Sequence, residues 1–299
     1  MEEFDIRFTK DVSTIFDKDD SDEQKQESNL LENFSKKVFG NTVEKKAVLG
    51  MDILKYSEYK EHQQNLMPFV FNIIFEKAIK DIEKTEKFFC FNKEEIRDDF
   101  IPTGDGGFFL FDSPLHALVF NLHFFAVLHH FNTGHFYPKL SKYVGEFVIR
   151  SAITLEKVFK YEKNHFGKAI IDNARMLHKD KLNRFIISNN VYEHFMKYFN
   201  GIESILIKST EDISYAYEQR KNTRLNPHSK SYFFMEAIKS NIIRSIHVQK
   251  MERTMSKNTE ITFFNLEVQF QISVFNDDND EEAIPYIITV GNLNADNLD

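Results

Sequence analysis

Asp99-Phe100-Ile101-Pro102-Thr103-Gly104-Asp105-Gly106-Gly107-Phe108-Phe109-Leu110-Phe111 is an apolar run, a Gly-Asp-Gly-Gly turn and a second apolar run. Asp-Gly between two strand-like runs predicts a hairpin, because glycine accepts the positive φ that such turns need. The turn leaves the Asp105 carboxylate at a tip with no side-chain bulk around it. A carboxylate there is suited to hold a hard cation beside a phosphate. An ordinary hairpin also carries such a residue, since Asp favours turns. A second acidic strand end, Gly50-Met51-Asp52-Ile53, moves the reading towards chemistry.

Before the hairpin, Lys46-Ala47-Val48-Leu49-Gly50-Met51-Asp52-Ile53 reads as a central strand ending at an Asp. A helix is expected from about Asn65, with Pro68 in its first turn. Phe71, Ile74, Phe75, Ala78, Ile79 and Ile82 recur there at helical spacing, with Glu76, Lys77, Lys80 and Asp81 opposite. Phe88 to Phe111 is read as the hairpin with its entering run. After it, Ser113 caps a helix and Pro114 presets its first φ. The helix runs to about Asn132 and stops at Thr133-Gly134. It carries His116, His123, His129 and His130, with no H-E-x-x-H pattern, so packing and helix-end roles are expected of them.

Further on, Glu146 to Ile153 is a strand and Val158 to Tyr161 is expected to return beside it. A helix starts at Gly167, Arg184 to Ser188 is a short strand, and Asn189 to Phe199 is another helix. Ile238, Ile242 and Ile246 suggest a helix. Phe264, Leu266, Val268, Phe270, Ile272 and Val274 alternate with polar residues, which marks a half-buried antiparallel strand. Ile284 to Val290 completes a hairpin with it. At the other end, Leu30, Leu31, Phe34 and Phe39 suggest a short amphipathic helix. The order strand, helix, hairpin, helix, hairpin, helix, strand, helix predicts an α+β sandwich of the ferredoxin-like kind. Residues 1–44 form an N-terminal helical extension, 45–220 the body, and 221–299 a C-terminal helix plus β-hairpin extension.

The 299 residues include 32 Phe and no Trp, so the core leans on Phe, Ile and Leu. A net charge of −8 argues against a nucleic-acid surface as the main business. The single cysteine, Cys90, lies in the apolar run Phe88-Phe89-Cys90-Phe91 and reads as a buried thiol of a reducing compartment. The first residues are acidic where a signal peptide is basic, and no apolar segment reaches membrane-spanning length. The expected location is the cytoplasm, with no membrane and no nucleic acid as partner.

In the predicted sandwich the first strand and the Gly-Asp hairpin lie side by side, with Asp52 ending one and Asp105 in the turn of the other. Two carboxylates at adjacent strand ends can hold two divalent ions, which clamp a triphosphate and lower the pKa of an attacking hydroxyl. The Ile53 carbonyl is a further candidate ligand. Amides around Leu54-Lys55-Tyr56-Ser57 are candidates for phosphate oxygens.

These residues carry a resemblance. Met51-Asp52-Ile53-Leu54-Lys55-Tyr56-Ser57 resembles the D-I-x-G-[FY]-[ST] metal segment of class III nucleotidyl cyclases, and Thr103-Gly104-Asp105-Gly106 resembles their G-D-G hairpin. Asn164-His165-Phe166-Gly167 followed by Arg175-Met176-Leu177 resembles their segment from a base contact through Gly to A-x-R-L. The resemblance covers roughly residues 45 to 200. It implies a class III cyclase sandwich in which Asp52 and Asp105 bind two metal ions, Mn2+ or Mg2+, with the Ile53 carbonyl assisting. It also implies that Arg175 stabilises charge on the phosphates in the transition state. Tyr56, Ser57, Ile101 and Asn164 fall at nucleotide-contacting positions. The family's metal residues face the arginine and base-contact positions of a second protomer, so a homodimer with shared sites is implied.

Three positions depart from the family pattern. Ile171 stands where the family has an asparagine, with Asp172 and Asn173 as candidate substitutes. Lys55 stands where it has glycine. At the base-reading positions stand Ile101 and Asn164, an apolar wall and an amide, with Tyr56 adding a hydroxyl. An amide both donates and accepts, and so can satisfy one edge of a pyrimidine. These departures resemble the pyrimidine (uridylate/cytidylate) cyclases of bacterial Pycsar anti-phage systems. That resemblance implies conversion of UTP, ahead of CTP, to the 3′,5′-cyclic monophosphate and pyrophosphate, the product being sensed by a separate effector protein. The alternatives are a purine cyclase and an inactive cyclase fold used as a binding module.

Overall fold

β1 (Val43–Ile53) owes its central place to a stretch buried on both faces from Ala47 to Met51. The computed structural model describes residues 43–85, 93–161, 164–180, 182–199, 205–209, 231–236, 243–251, 254–256, 259–276 and 279–292. The expected N-terminal helix, Cys90 and its apolar run lie outside these residues. After β1 come α1 (Glu61–Thr85), the short α2 (Lys93–Asp98), β2 (Ile101–Pro102) and β3 (Gly106–Phe111). Then follow α3 (Pro114–Asn132), α4 (Pro138–Val144), β4 (Ile149–Tyr161), β5 (Asn164–Gly167), α5 (Lys168–Lys179), β6 (Phe185–Ser188) and α6 (Asn189–Phe199). The remainder is strand: β7 (Ile205–Ser209), β8 (Ser231–Glu236), β9 (Ile243–Lys250), β10 (Thr254–Ser256), β11 (Thr259–Ile261), β12 (Phe263–Asn276) and β13 (Asn279–Val290).

The main sheet runs β2-β3-β1-β4-β6-β12-β9-β8-β7, with β5 beside β4 and β13 beside β12. β1 is antiparallel to both β3 and β4, and β4 is parallel to β6. This mixed α+β sandwich agrees with the fold class read from the sequence. Alternation sorts the residues of β1 between two cores. Ala47, Leu49, Met51 and Ile53 join the core that also holds residues of α1, α3 and α6. Val48 joins Phe108, Leu110, Ala152 and Ile186 in a second core, with Ala169, Met176 and Leu177 of α5. Phenylalanine supports the hairpin from the first side. Phe100 stacks on Phe109 at 4.5 Å, and Phe109 in turn meets Phe71, Phe75 and Phe120.

Several elements differ from the sequence expectation. Residues 93–98 are helical, so the hairpin's entering strand is only Ile101–Pro102. α1 starts at Glu61, which puts Pro68 inside the helix rather than in its first turn. Proline lacks the N–H that would bond the Gln64 carbonyl, and the Tyr56 hydroxyl donates to that carbonyl instead, at 2.8 Å. β4 is one continuous strand from Ile149 to Tyr161. Thr154-Leu155-Glu156-Lys157 contains no residue that favours a turn, and the returning partner is β5. Ile246 belongs to strand β9 and not to a helix, with Ile246 and Val248 both buried in the first core. β12 pairs with β6 as well as with β9 and β13, so the C-terminal hairpin shares the sheet of the body. Among the described residues no helix is long and apolar enough to cross a membrane.

Candidate active site

β1 and β3 run antiparallel with Asp52 opposite Gly106, which brings the end of β1 against the hairpin turn. The approach is close enough that a Cβ on Gly106 would sit 2.0 Å from the Met51 carbonyl oxygen. Gly104 turns the chain at φ +98°, in the region that favours glycine. The Ile53 amide donates to the Asp105 carbonyl at 2.9 Å, locking the turn to the strand end. Asp52, Ile53 and Asp105 are therefore held together, as the sequence suggested. An open cavity of about 180 Å³ lies beside them, walled by Phe71, Phe75, Phe100 and Phe109 and reaching Asp105.

Asp52 is not a free strand end. It faces Arg150 across the β1–β4 ladder. Arg150 Nε donates to Asp52 Oδ1 at 2.8 Å and Nη2 to Oδ2 at 2.6 Å, a two-pronged pair. The two side chains are only 15 % and 16 % exposed. Arg150 Nη1 also donates to the backbone carbonyl of Asp180, the residue that ends α5. The Asp180 carboxylate is taken by Arg184, whose Nε lies 2.8 Å from Oδ1 and whose backbone amide lies 2.8 Å from Oδ2. Burial pushes the Asp52 carboxyl above the ordinary Asp value; Arg150 pulls it down, while Asp105 and Asp180 push it up. Arg150 escaped the sequence reading. Its only signal was its place on the strand next to Asp52, and that needed the register.

The test for divalent ions is whether these groups want more positive charge. Asp52 and Asp105 repel each other through a half-buried space, and one guanidinium stands against the two. The Asp105 carboxylate has the Thr103 hydroxyl at 3.3 Å. Among the described residues no group of three or more His, Cys, Asp or Glu is placed to hold a metal ion. Two carboxylates and a carbonyl fit ions that take their remaining ligands from phosphate and water.

The other predicted residues sit on α5, on β2 and at the start of β5. Arg175 is on α5, 3.4 Å from Asp172, and the charges acting on Asp52 are those of Arg150, Asp105 and Asp180. Ile101 packs against the second core. Asn164, at the start of β5, is exposed and pairs with Tyr161. β4 runs from Arg150, opposite Asp52, to Tyr161, opposite Asn164, on the order of 35 Å at ~3.3 Å per residue. Within one chain Asn164 is therefore well removed from Asp52.

The substitutes proposed for the family asparagine are otherwise engaged. Asn173 is fully buried, and its Nδ2 reaches the carbonyls of Val48 at 2.7 Å and Ala152 at 2.9 Å. Asp172 is held by Lys168 at 3.0 Å as well as by Arg175. Ile171 itself is 51 % exposed. Lys55 keeps the conformation for which glycine is suited, φ 57° and ψ 36°, and precedes the short turn Tyr56–Glu58. The Tyr56 hydroxyl donates its proton to the Gln64 carbonyl, which leaves its oxygen as an acceptor. Ser57 is exposed in that turn.

No protein-family model and no curated protein matches the chain. Among solved structures it is similar to the guanylyl cyclase Cya2, at 12 % identity and TM-score 0.41, over 75 % of this chain and 92 % of that one. It is similar to an adenylate/guanylate cyclase/hydrolase from Silicibacter pomeroyi, at 14 % identity and TM-score 0.41, over 75 % and 96 %. It is also similar to the adenylyl cyclase CyaB from P. aeruginosa, at 10 % identity and TM-score 0.37, over 75 % and 94 %.

Proposed function

We propose that this chain is a nucleotidyl cyclase of the class III kind, working as a homodimer with two shared sites. Its proposed substrate is a pyrimidine nucleoside triphosphate, UTP ahead of CTP. The observation that carries the reading is Asp52 beside Asp105, two carboxylates crowded at adjacent strand ends. Asp52, Asp105 and the Ile53 carbonyl would hold two divalent ions, Mn2+ or Mg2+, which supply charge neutralisation and a lower pKa for the attacking hydroxyl. The 3′-oxygen attacks the α-phosphorus, and a new P–O bond forms as the bond to the bridging oxygen breaks. Pyrophosphate leaves and the hydroxyl proton passes to solvent. The distance along β4 between Asn164 and Asp52 supports completion of each site by a second copy. There the partner subunit's Arg175 would stabilise charge on the phosphates.

The surroundings of Ile101 support a pyrimidine and, of the two, uracil. Ile101 lies against apolar core residues, where a purine reader wants a polar group. The carboxylate two residues before it, Asp99, is held by Lys160 at 2.7 Å, with His165 Nε2 at 3.4 Å. Both contacts fall on Oδ1 and direct that oxygen away from a cytosine amino group, and an amino group buried without an acceptor costs about 1–3 kcal/mol. The resemblance to Pycsar cyclases supports a role in cytoplasmic anti-phage signalling through a separate effector. A second reading, an inactive fold used for binding, is favoured by Ile171 together with the commitments of Asp172 and Asn173.

The test is incubation of the full chain with each of the four NTPs and Mn2+, with chromatographic separation of products. Predominant cyclic UMP is expected. Predominant cyclic CMP would overturn the choice of base, and cyclic AMP or cyclic GMP the pyrimidine reading. No cyclic product from any NTP would leave the binding module.

A further inference from the structure

Among the described residues the cation paired with Asp52 is Arg150, and it is built in. The pair with Arg150 is fixed from both ends. Strand register sets the two residues opposite each other, and both guanidinium edges are used, two N–H groups on the Asp52 carboxylate and one on the Asp180 carbonyl. That carbonyl ends α5, where the helix dipole adds partial negative charge. Arg184 and the amide of Leu182, 3.2 Å from Asp180 Oδ1, hold the Asp180 loop in turn. A guanidinium stays charged at any working pH, so Arg150 leaves Asp52 only when something displaces it.

The local charges are Asp52, Asp105 and Asp180 against Arg150 and Arg184, a net of one negative. That is a weak seat for a bare divalent ion, which would meet Arg150 at close range as it approached Asp52. From this we infer that Arg150 is an internal counterion occupying Asp52 in the metal-free protein, so that a divalent ion must take the carboxylate from it. Free metal is thereby held off until it arrives with a charge-compensating triphosphate. The inference rests on the reading of Asp52 as a metal ligand. Arg150 is in these terms a positioning residue: its two-pronged contact keeps the Asp52 carboxylate aimed before substrate binds.

The test is Mn2+ binding to the full chain without nucleotide, followed by the electron paramagnetic resonance signal of free Mn2+. Arg150→Gln should bind Mn2+ roughly ten-fold tighter or more, since a unit charge ~5 Å from the ion is worth at least that at an intermediate dielectric. The gain should vanish in the Arg150→Gln, Asp52→Asn double variant. Arg150→Lys keeps the charge but grips with one contact, and should gain less than Arg150→Gln. If circular dichroism shows that Arg150→Gln does not fold, the comparison is made with Arg150→Lys, which should still bind tighter than the native chain. Affinity equal to or weaker than native would overturn the inference, as would a gain that survives in the double variant. No turnover enters the titration, so its outcome is separate from that of the NTP assay.

Discussion

At Asp52 and Asp105 two carboxylates that look alike in the sequence sit in different surroundings, and their alanine variants should behave differently. Both substitutions are expected to abolish cyclic product. Asp105→Ala removes a side chain whose hydrogen bond is to the neighbouring Thr103 hydroxyl, and should leave the melting temperature near that of the native chain. Asp52→Ala strands the Arg150 guanidinium, 15 % exposed, beside an empty place. It should lower stability by about 2–3 kcal/mol, short of the figure for a fully buried pair. Thermal unfolding of the two variants side by side decides this; equal melting would show that the Arg150 pair adds nothing to the fold. The two Asp residues were legible because each ends a local pattern, a strand or a Gly-Asp-Gly turn. Arg150 was not, because its partner lies 98 positions away and is chosen by ladder register alone. The contact made by Tyr56 was hidden for a similar reason. Its hydroxyl looks available until the carbonyl left without a donor by Pro68 is placed above it.

The same limit shows in whole elements. α5 could be read as a helix from its start after Gly167, but not which of its polar residues faces the sheet. Asn173 faces inward, bridging β1 and β4 through the carbonyls of Val48 and Ala152, with Thr154 Oγ1 at 3.3 Å. Asn173→Ala should therefore cost about 2–3 kcal/mol in chemical denaturation, since a buried amide with several partners is lost. Ile171→Asn, which installs the asparagine of the cyclases that the sequence resembles on an exposed face, should leave stability within about 0.5 kcal/mol. An Asn173→Ala variant as stable as the native chain would free Asn173 for the catalytic part that its contacts now deny it. Elsewhere the errors were of type rather than existence. Ile238, Ile242 and Ile246 match a helical repeat, yet the described part of that stretch is strand β9, where Ile246 and Val248 fill the core by alternation. Three isoleucines spaced by four cannot distinguish the two periods, and β-branching favours the strand. β4 was divided because two apolar runs flank Thr154 to Lys157, although nothing there turns the chain.

On the scale of the whole molecule, the distance of Asn164 from Asp52 makes a prediction about assembly. Mixing Asp105→Ala chains with Arg175→Ala chains should recover part of the activity, because one of the two sites in the mixed dimer then keeps every group. Asp105→Ala suits this better than Asp52→Ala, since it leaves Arg150 paired. No recovery after demonstrated subunit exchange would place all the chemistry in one protomer. The place of the Gly-Asp hairpin beside β1 followed from the predicted sandwich. The continuation of that sheet through β12 did not, because the clean alternation of Phe264 to Val274 announces a strand without naming its neighbour.

That continuation bears on how the protein is made. Phe185 to Ser188 of β6 find their antiparallel partners in Leu266 to Phe263, far later in the chain. As the polypeptide leaves the ribosome, the edge of β6 that will receive β12 has no partner while the intervening residues are synthesised, on the order of 4–15 s at ~5–20 residues per second. Through that interval the nascent chain presents Phe185, Ile186 and Ile187 along an unpaired strand edge, the kind of surface that chaperones cover and that neighbouring nascent chains can pair with by mistake.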